Sequence, residues 1–227
     1  MVIVDTESLA GTLDSVGDAL FFGQAVPERE RKAIGRWIAE RQGKPGSYAG
    51  MFAPTSADLA SGIKVFSGEM VRSRAGVSHI LGQEACRTLI LLGVEDTTVK
   101  QALDPATHGM LQRLRQTEGA GPVHGMYCCG ICSVAYWRHV MVGGLDRCEE
   151  RLAAGMSVLK AHRIGDRRWR RFPLYYTLLA LSELDLAPAL DEMRRMAPLL
   201  ERYVRRVGCS KFSQRRRVIA ERVLARC

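Results

Sequence analysis

No stretch of the 227-residue chain approaches the run of about 20 uncharged apolar residues that a membrane-spanning helix needs. The opening segment, MVIVDTESLAG, has no basic residue ahead of an apolar run, so a secretory leader is not expected. Low-complexity tracts and flexible Gly/Ser linkers are also missing. Few segments alternate apolar and polar residues with period 2, which leaves little material for a sheet. The seven cysteines are an odd number without framework spacing. In a chain of this length that pattern points to reduced thiols and a cytoplasmic setting, not to a disulfide scaffold. The segment GKPGSYAG has glycines, a lysine and a serine but lacks the spacing of a phosphate-binding loop.

Apolar residues make up 47% of the chain and charged residues 25%, the balance of an ordinary globular protein able to bury a sizeable core. Apolar positions recur at i, i+3, i+4 and i+7 along most of it. This period predicts helices at 7–21, 28–42, 57–66, 76–92, 97–116, 125–141, 145–162, 173–185, 188–206 and 212–225. Most prolines stand at helix starts or in connections, where a missing N–H costs little; Pro105 and Pro188 intrude on helical pattern. The expectation is an all-α, single repeat domain over 1–227. Its parts are N-terminal helices and a loop at 1–56, hairpins at 57–206 and a basic capping helix at 207–227.

Three segments repeat: SHILGQEACRTLILLG, MYCCGICSVAYWRHVM and LYYTLLALSELDLAPA. Their alignment superimposes His79, Tyr127 and Tyr175 at a constant spacing of 48, and puts Gly82 on Gly130. A period of this length suits a helical hairpin with an apolar inner helix and a more charged outer one. Such hairpins bury their apolar faces only against neighbours, in a curved stack or a closed ring.

Leu159, Arg163, Gly165, Asp166, Trp169, Phe172, Pro173, Tyr175, Tyr176, Thr177, Ala180 and Leu181 resemble one repeat of the α/α-toroid proteins, the terpenoid cyclases and protein prenyltransferases. The match is good over 155–185, partial over 108–140 and faint over 34–50, where Trp37, Gln42, Gly46 and Tyr48 survive. The resemblance implies open or partial rings of α/α hairpins, because a full ring of about six would need roughly 280–300 residues. It also implies a ligand cavity at the inner-helix ends. It carries over no catalytic residue: the acidic signatures of the cyclases are absent, and the Asp–Cys–His zinc set of the prenyltransferases has no clear counterpart.

Candidate residues divide into three groups. In GMYCCGICSVAYWRHV, a continuous helix would put His124, Cys128 and Cys132 on one face, with Cys129 about 100° round. Thiolate and imidazole are zinc ligands, so His124, Cys128 and Cys132 form the candidate metal set, with zinc as candidate cofactor; since i to i+8 spans about 12 Å on a helix, two of them with a third ligand from elsewhere, such as His79 or Cys86, is the alternative. A redox role for Cys129-x-x-Cys132 asks for an electropositive helix N-terminus, whereas this segment reads as apolar inner helix. Small buried cysteines lining that helix, where the next repeat has Thr177 and Ala180, are the plainest account. The second group is His79, Tyr127 and Tyr175 with Glu84, candidates for proton transfer or ligand contact at a pocket rim, or for packing between repeats.

The third group is basic. Residues 160–227 hold 17 Lys/Arg against 7 Asp/Glu, so the whole excess of +9 belongs to the last third. Arg167, Arg168, Arg170 and Arg171 interleave with Trp169 and Phe172, and Arg215, Arg216 and Arg217 open an amphipathic helix. These seven arginines are candidate anion-binding residues, since a guanidinium fork pairs with phosphate. The leading expectation is binding or catalysis on an apolar, isoprenoid-like or anionic small molecule, and any enzyme would be a transferase or lyase by analogy of fold alone. Nucleic-acid or phosphate-surface binding through the arginines, and a non-catalytic interaction scaffold, are the alternatives.

Overall fold

A computed structural model describes residues 4–165, 168–205 and 208–227. Asp166 and Arg167, singled out above, lie outside the described residues. The described residues form ten helices, each overlapping one predicted segment in order. The fold is therefore mostly helical. The only strands among the described residues are two-residue pairs, and no helix among them is long and apolar enough to cross a membrane.

Two expected helices are corrected. The segment predicted at 57–66 is a short helix, α3 (Ser56–Ser61), followed by an antiparallel pair, β1 (Ile63–Lys64) with β2 (Met70–Val71). Gly62 ends α3 at φ +70, and a Cβ there would lie 2.5 Å from the Val71 carbonyl oxygen, so only glycine makes this exit. The segment predicted at 125–141 becomes helical only at Gly130, as α6 (Gly130–Met141). Residues 125–129 are not helical, and His124, Cys128 and Cys132 share no helix face.

The chain divides into two compact units. The first comprises residues 1–64, 70–122 and 142–146. It holds α1 (Leu9–Phe21), α2 (Glu28–Ala39), α3, α4 (Arg74–Leu92) and α5 (Thr97–Glu118). Polar caps set the starts: Ser8, Thr55, Ser73 and Asp96 each accept main-chain N–H groups of the first turn. α1 packs on α4 and α2 on α5, and α4 also touches α2, α3 and α5. That central position explains why α4 buries residues around most of its circumference, from Val77 through Leu92. The Asp58 carboxylate, buried, locks α3 to the start of α1 by accepting from Ser8 Oγ at 2.6 Å and Leu9 N at 3.0 Å, while also taking Thr55 N at 2.9 Å.

The second unit comprises residues 65–69, 123–141 and 147–227. It holds α6, α7 (Cys148–Ala161), the antiparallel pair β3 (Arg163–Ile164) and β4 (Arg168–Trp169), α8 (Leu174–Glu183), α9 (Ala187–Val204) and α10 (Lys211–Leu224). α6 packs on α7 and α8 on α9, while α6 also meets α8 and α7 meets α9; α10 closes against α8 and α9. Pro188 falls in the first turn of α9, where its absent donor is harmless. Arg138 of α6 holds Glu183 of α8 through two bonds of 2.8 and 3.1 Å. The buried Glu192 carboxylate on α9 accepts from Arg163 Nε at 2.7 Å, Trp169 Nε1 at 2.8 Å and Arg195 Nη2 at 3.1 Å. It thereby fastens β3 and β4 to α9.

Candidate functional site: three thiols at the start of α6

The loop before α6 is held by the helix it precedes. Trp137 Nε1 donates to the Gly125 carbonyl at 2.8 Å, and a Cβ on Gly125 would lie 2.1 Å from the Ala154 carbonyl oxygen of α7. Ser133 Oγ accepts from Tyr127 N at 2.8 Å and donates within reach of the Tyr127 and Cys129 carbonyls, at 2.9 and 2.8 Å. The chain then turns through Cys128 at φ +57, a left-handed conformation unfavourable for a side chain larger than glycine. The Cys129 carbonyl accepts the first helical bond, from Ser133 N at 2.8 Å, so Cys129 is the N-cap of α6. Gly130 follows because a Cβ there would sit 2.0 Å from the Arg171 carbonyl oxygen.

This turn and the first turn of α6 carry three cysteines. Cys132, one turn into the helix, is buried; Cys129 is half-exposed and Cys128 exposed. The Cys128 and Cys132 Sγ atoms lie within 4.8 Å of each other. Cys129 Sγ accepts from the Cys132 thiol, and also from the main-chain N–H groups of Cys132 and Ile131. Those donors pull the Cys129 thiol down to about 5, so it is a thiolate at neutral pH. The Cys132 thiol moves the other way: its bond to Cys129 holds its proton, and burial adds to that. Burial and the neighbouring Cys129 charge also raise Cys128. One thiolate at a helix N-terminus, backed by a protonated thiol one turn inward, is the arrangement of a nucleophilic and resolving pair.

By sequence alone the segment is an apolar inner helix over 125–141, which argues against redox chemistry. No Ser, Thr, Asp or Asn occurs between Thr117 and Ser133, so the usual N-cap signal is missing. The thiolate itself takes the cap. The legible signal was the pair Gly125 and Gly130 flanking the cysteines, each at a backbone approach that excludes a Cβ.

The other candidates belong to several elements. His124 is exposed in the loop. His79 lies in the second turn of α4, its ring 4.0 Å from that of Tyr48, and Tyr48 Oη accepts from Arg113 Nε at 2.9 Å. Burial, with Arg113 adding, holds His79 below the usual histidine range and hence neutral at pH 7. Glu84 is half-buried on α4. Tyr127 is buried before α6 with its ring 5.7 Å from Tyr136, and Tyr175 opens α8 at 5.0 Å from Tyr203. The three residues superimposed by the repeat thus occupy a helix interior, a loop and a helix start.

The arginines split between packing and solvent. Arg215 is buried, 3.9 Å from the Phe66 ring centroid, and donates to the Phe66 carbonyl at 2.9 Å. Arg216 donates to the Ser67 carbonyl at 2.7 Å and lies over Tyr175. Arg217 pairs with Glu221 one turn on, at 2.8 Å. Arg168, Arg170 and Arg171 are exposed, with Arg171 at φ +67.

Protein-family models, characterised proteins and solved structures offer no match to this chain.

Proposed function

We propose that the protein performs thiol–disulfide exchange, with Cys129 as attacking thiolate and Cys132 as resolving thiol, on a scaffold of α/α hairpins of the toroid-repeat kind. The observation that carries the chemistry is the placement of Cys129 at the N-cap of α6 with Cys132 one turn behind it. Cys129 attacks one sulfur of a partner disulfide and the partner's other sulfur departs as thiolate. Cys132 then gives up its proton and attacks Cys129 Sγ, expelling the partner's first sulfur as a second thiolate. The partner disulfide is reduced by two electrons and the Cys129/Cys132 dithiol is oxidised by two.

The scaffold reading rests on the stacking within each unit: α1 on α4 beside α2 on α5, and α6 on α8 beside α7 on α9. Like helices meet like helices, as in stacked hairpins with inner and outer rows. Most arginines at the start of α10 are engaged in internal contacts, which weighs against the nucleic-acid alternative there.

The test is the rate of Cys129 carbamidomethylation against pH, followed by oxidation with a low-molecular-weight disulfide. A midpoint near 5 and an intrachain disulfide between Cys129 and Cys132 are expected. A midpoint near the ordinary thiol value of about 8.5, with only mixed disulfides formed, would overturn the proposal.

A further inference from the structure

The exchange pair leaves one thiol unexplained. Cys128 adopts φ +57, a conformation that costs a β-carbon-bearing residue on the order of 1–2 kcal/mol. Two consecutive residues on an extended strand direct their side chains to opposite faces. Here Cys128 and Cys129 both stand near one third residue: Cys128 Sγ is within 4.8 Å of Cys132 Sγ, and Cys129, at the N-cap of α6, precedes Cys132 by one helical turn. The left-handed turn is what makes this double approach geometrically available. Exposure then separates the two outer thiols, because Cys128 is open to solvent and Cys129 is half-covered.

We propose that Cys132 is shared between two disulfide registers, and that the oxidised bond moves from Cys129 to Cys128 to present it to an external dithiol reductant. The proposal rests on the exchange reading above for its first step. Once Cys129 and Cys132 are joined, Cys128 loses its proton to solvent and attacks Cys132 Sγ. The bond between Cys128 and Cys132 forms, the bond between Cys129 and Cys132 breaks, and Cys129 leaves as thiolate. No electrons enter or leave the protein in this step. Cys129 is the favourable leaving group because it stands at the N-cap of α6, where first-turn N–H groups are not spent on helical carbonyls and favour a negative charge. An external dithiol then attacks the exposed Cys128 Sγ and Cys132 departs as thiolate, taking up a proton. The reductant's second thiol next attacks its own sulfur in the mixed disulfide and expels Cys128. The reductant ends as a disulfide and both protein thiols are reduced.

The test maps disulfides in the whole protein. The reduced chain is oxidised with one equivalent of 5,5′-dithiobis(2-nitrobenzoic acid), quenched with acid, alkylated and digested for mass spectrometry. The wild-type protein is expected to yield both the Cys129/Cys132 and the Cys128/Cys132 peptides, with free Cys129 found in the second. C129S is expected to close Cys128 to Cys132, and C128S only Cys129 to Cys132. Reduction of oxidised C128S by dithiothreitol is expected to slow at least about tenfold, since the exposed sulfur is lost. Absence of the Cys128/Cys132 peptide from wild type and from C129S overturns the two-register proposal while leaving the exchange pair intact. Absence of the Cys129/Cys132 peptide from both wild type and C128S overturns the exchange reading itself.

Discussion

The first unit carries Cys86 and the second carries Cys129, one residue type in two opposite physical states. Cys86 is in the middle of α4 with no exposed surface, and burial pushes its thiol above the ordinary range. Cys129 caps α6, where its sulfur meets thiol and main-chain donors that draw its pKa down. The cause is position along the helix: interior N–H groups are spent on carbonyls, and only the first turn has N–H groups to spare for a sulfur. The same contrast separates the two buried carboxylates. Asp58 binds main-chain N–H groups and the Ser8 hydroxyl at the starts of α1 and α3, whereas Glu192 holds two guanidinium groups and an indole.

The largest expected effect tests the cysteine contrast. C129S is expected to slow release of the leaving thiol from a small disulfide at least about tenfold, because only the raised Cys128 thiol remains to attack, while C86S keeps the wild-type rate; equal losses in both variants would break the contrast. Next come the carboxylates. E192A is expected to cost about 3 kcal/mol of unfolding free energy by urea titration, because two cations lose their partner. D58A is expected to cost about 2 kcal/mol, since the donors that lose their acceptor are uncharged N–H and hydroxyl groups. A reversed order would show that the helix starts of the first unit depend on their carboxylate more than β3 and β4 do.

A smaller effect, about 1–3 kcal/mol, is expected for G130A, whose Cβ drives Arg171 and the first turn of α6 apart. The alkylation midpoint of Cys129 should rise along with the instability, because the cap geometry shifts. Replacement of Gly143, whose Cβ meets open space, gives a backbone-strain control at φ +78 without the clash.

The last expected effect is a pH dependence. The folded, reduced protein releases the Cys129 proton at about 5, against about 8.5 for an unfolded thiol. Within that window the unfolded chain binds more protons, so stability rises with pH. The Cys129 contribution is complete above about 8.5 and lost as pH falls through about 5. The difference in melting temperature between reduced wild type and C129S should therefore widen from pH 5 to pH 8, and a flat difference would refute the thiolate assignment. C132A removes the strongest donor and should move the alkylation midpoint of Cys129 upward, toward the ordinary thiol value.

Helical content was legible throughout. The period of α2, α5, α9 and α10 could be read from apolar spacing, and the structure caps helix starts with Ser8, Thr55, Asp96 and Ser210. The ends that escaped are those set by glycine. Gly62 stops α3 because the Val71 carbonyl lies where its side chain would be, and Gly130 starts α6 against Arg171. Neither neighbour is local enough to register in a periodicity.

The candidate site shows the same division. Its residues were visible as three cysteines in five positions, but their chemistry turned on whether they stood inside a helix or at its start. Local chain physics determined the helices, their order and most of their apolar faces, because hydrogen bonds between near neighbours and a 3.6-residue period act within a few turns. Tertiary structure alone decided where α6 begins. Gly125 lies against Ala154 and Gly130 against Arg171, contacts between residues distant in sequence, and they leave a thiolate where a helix interior was expected.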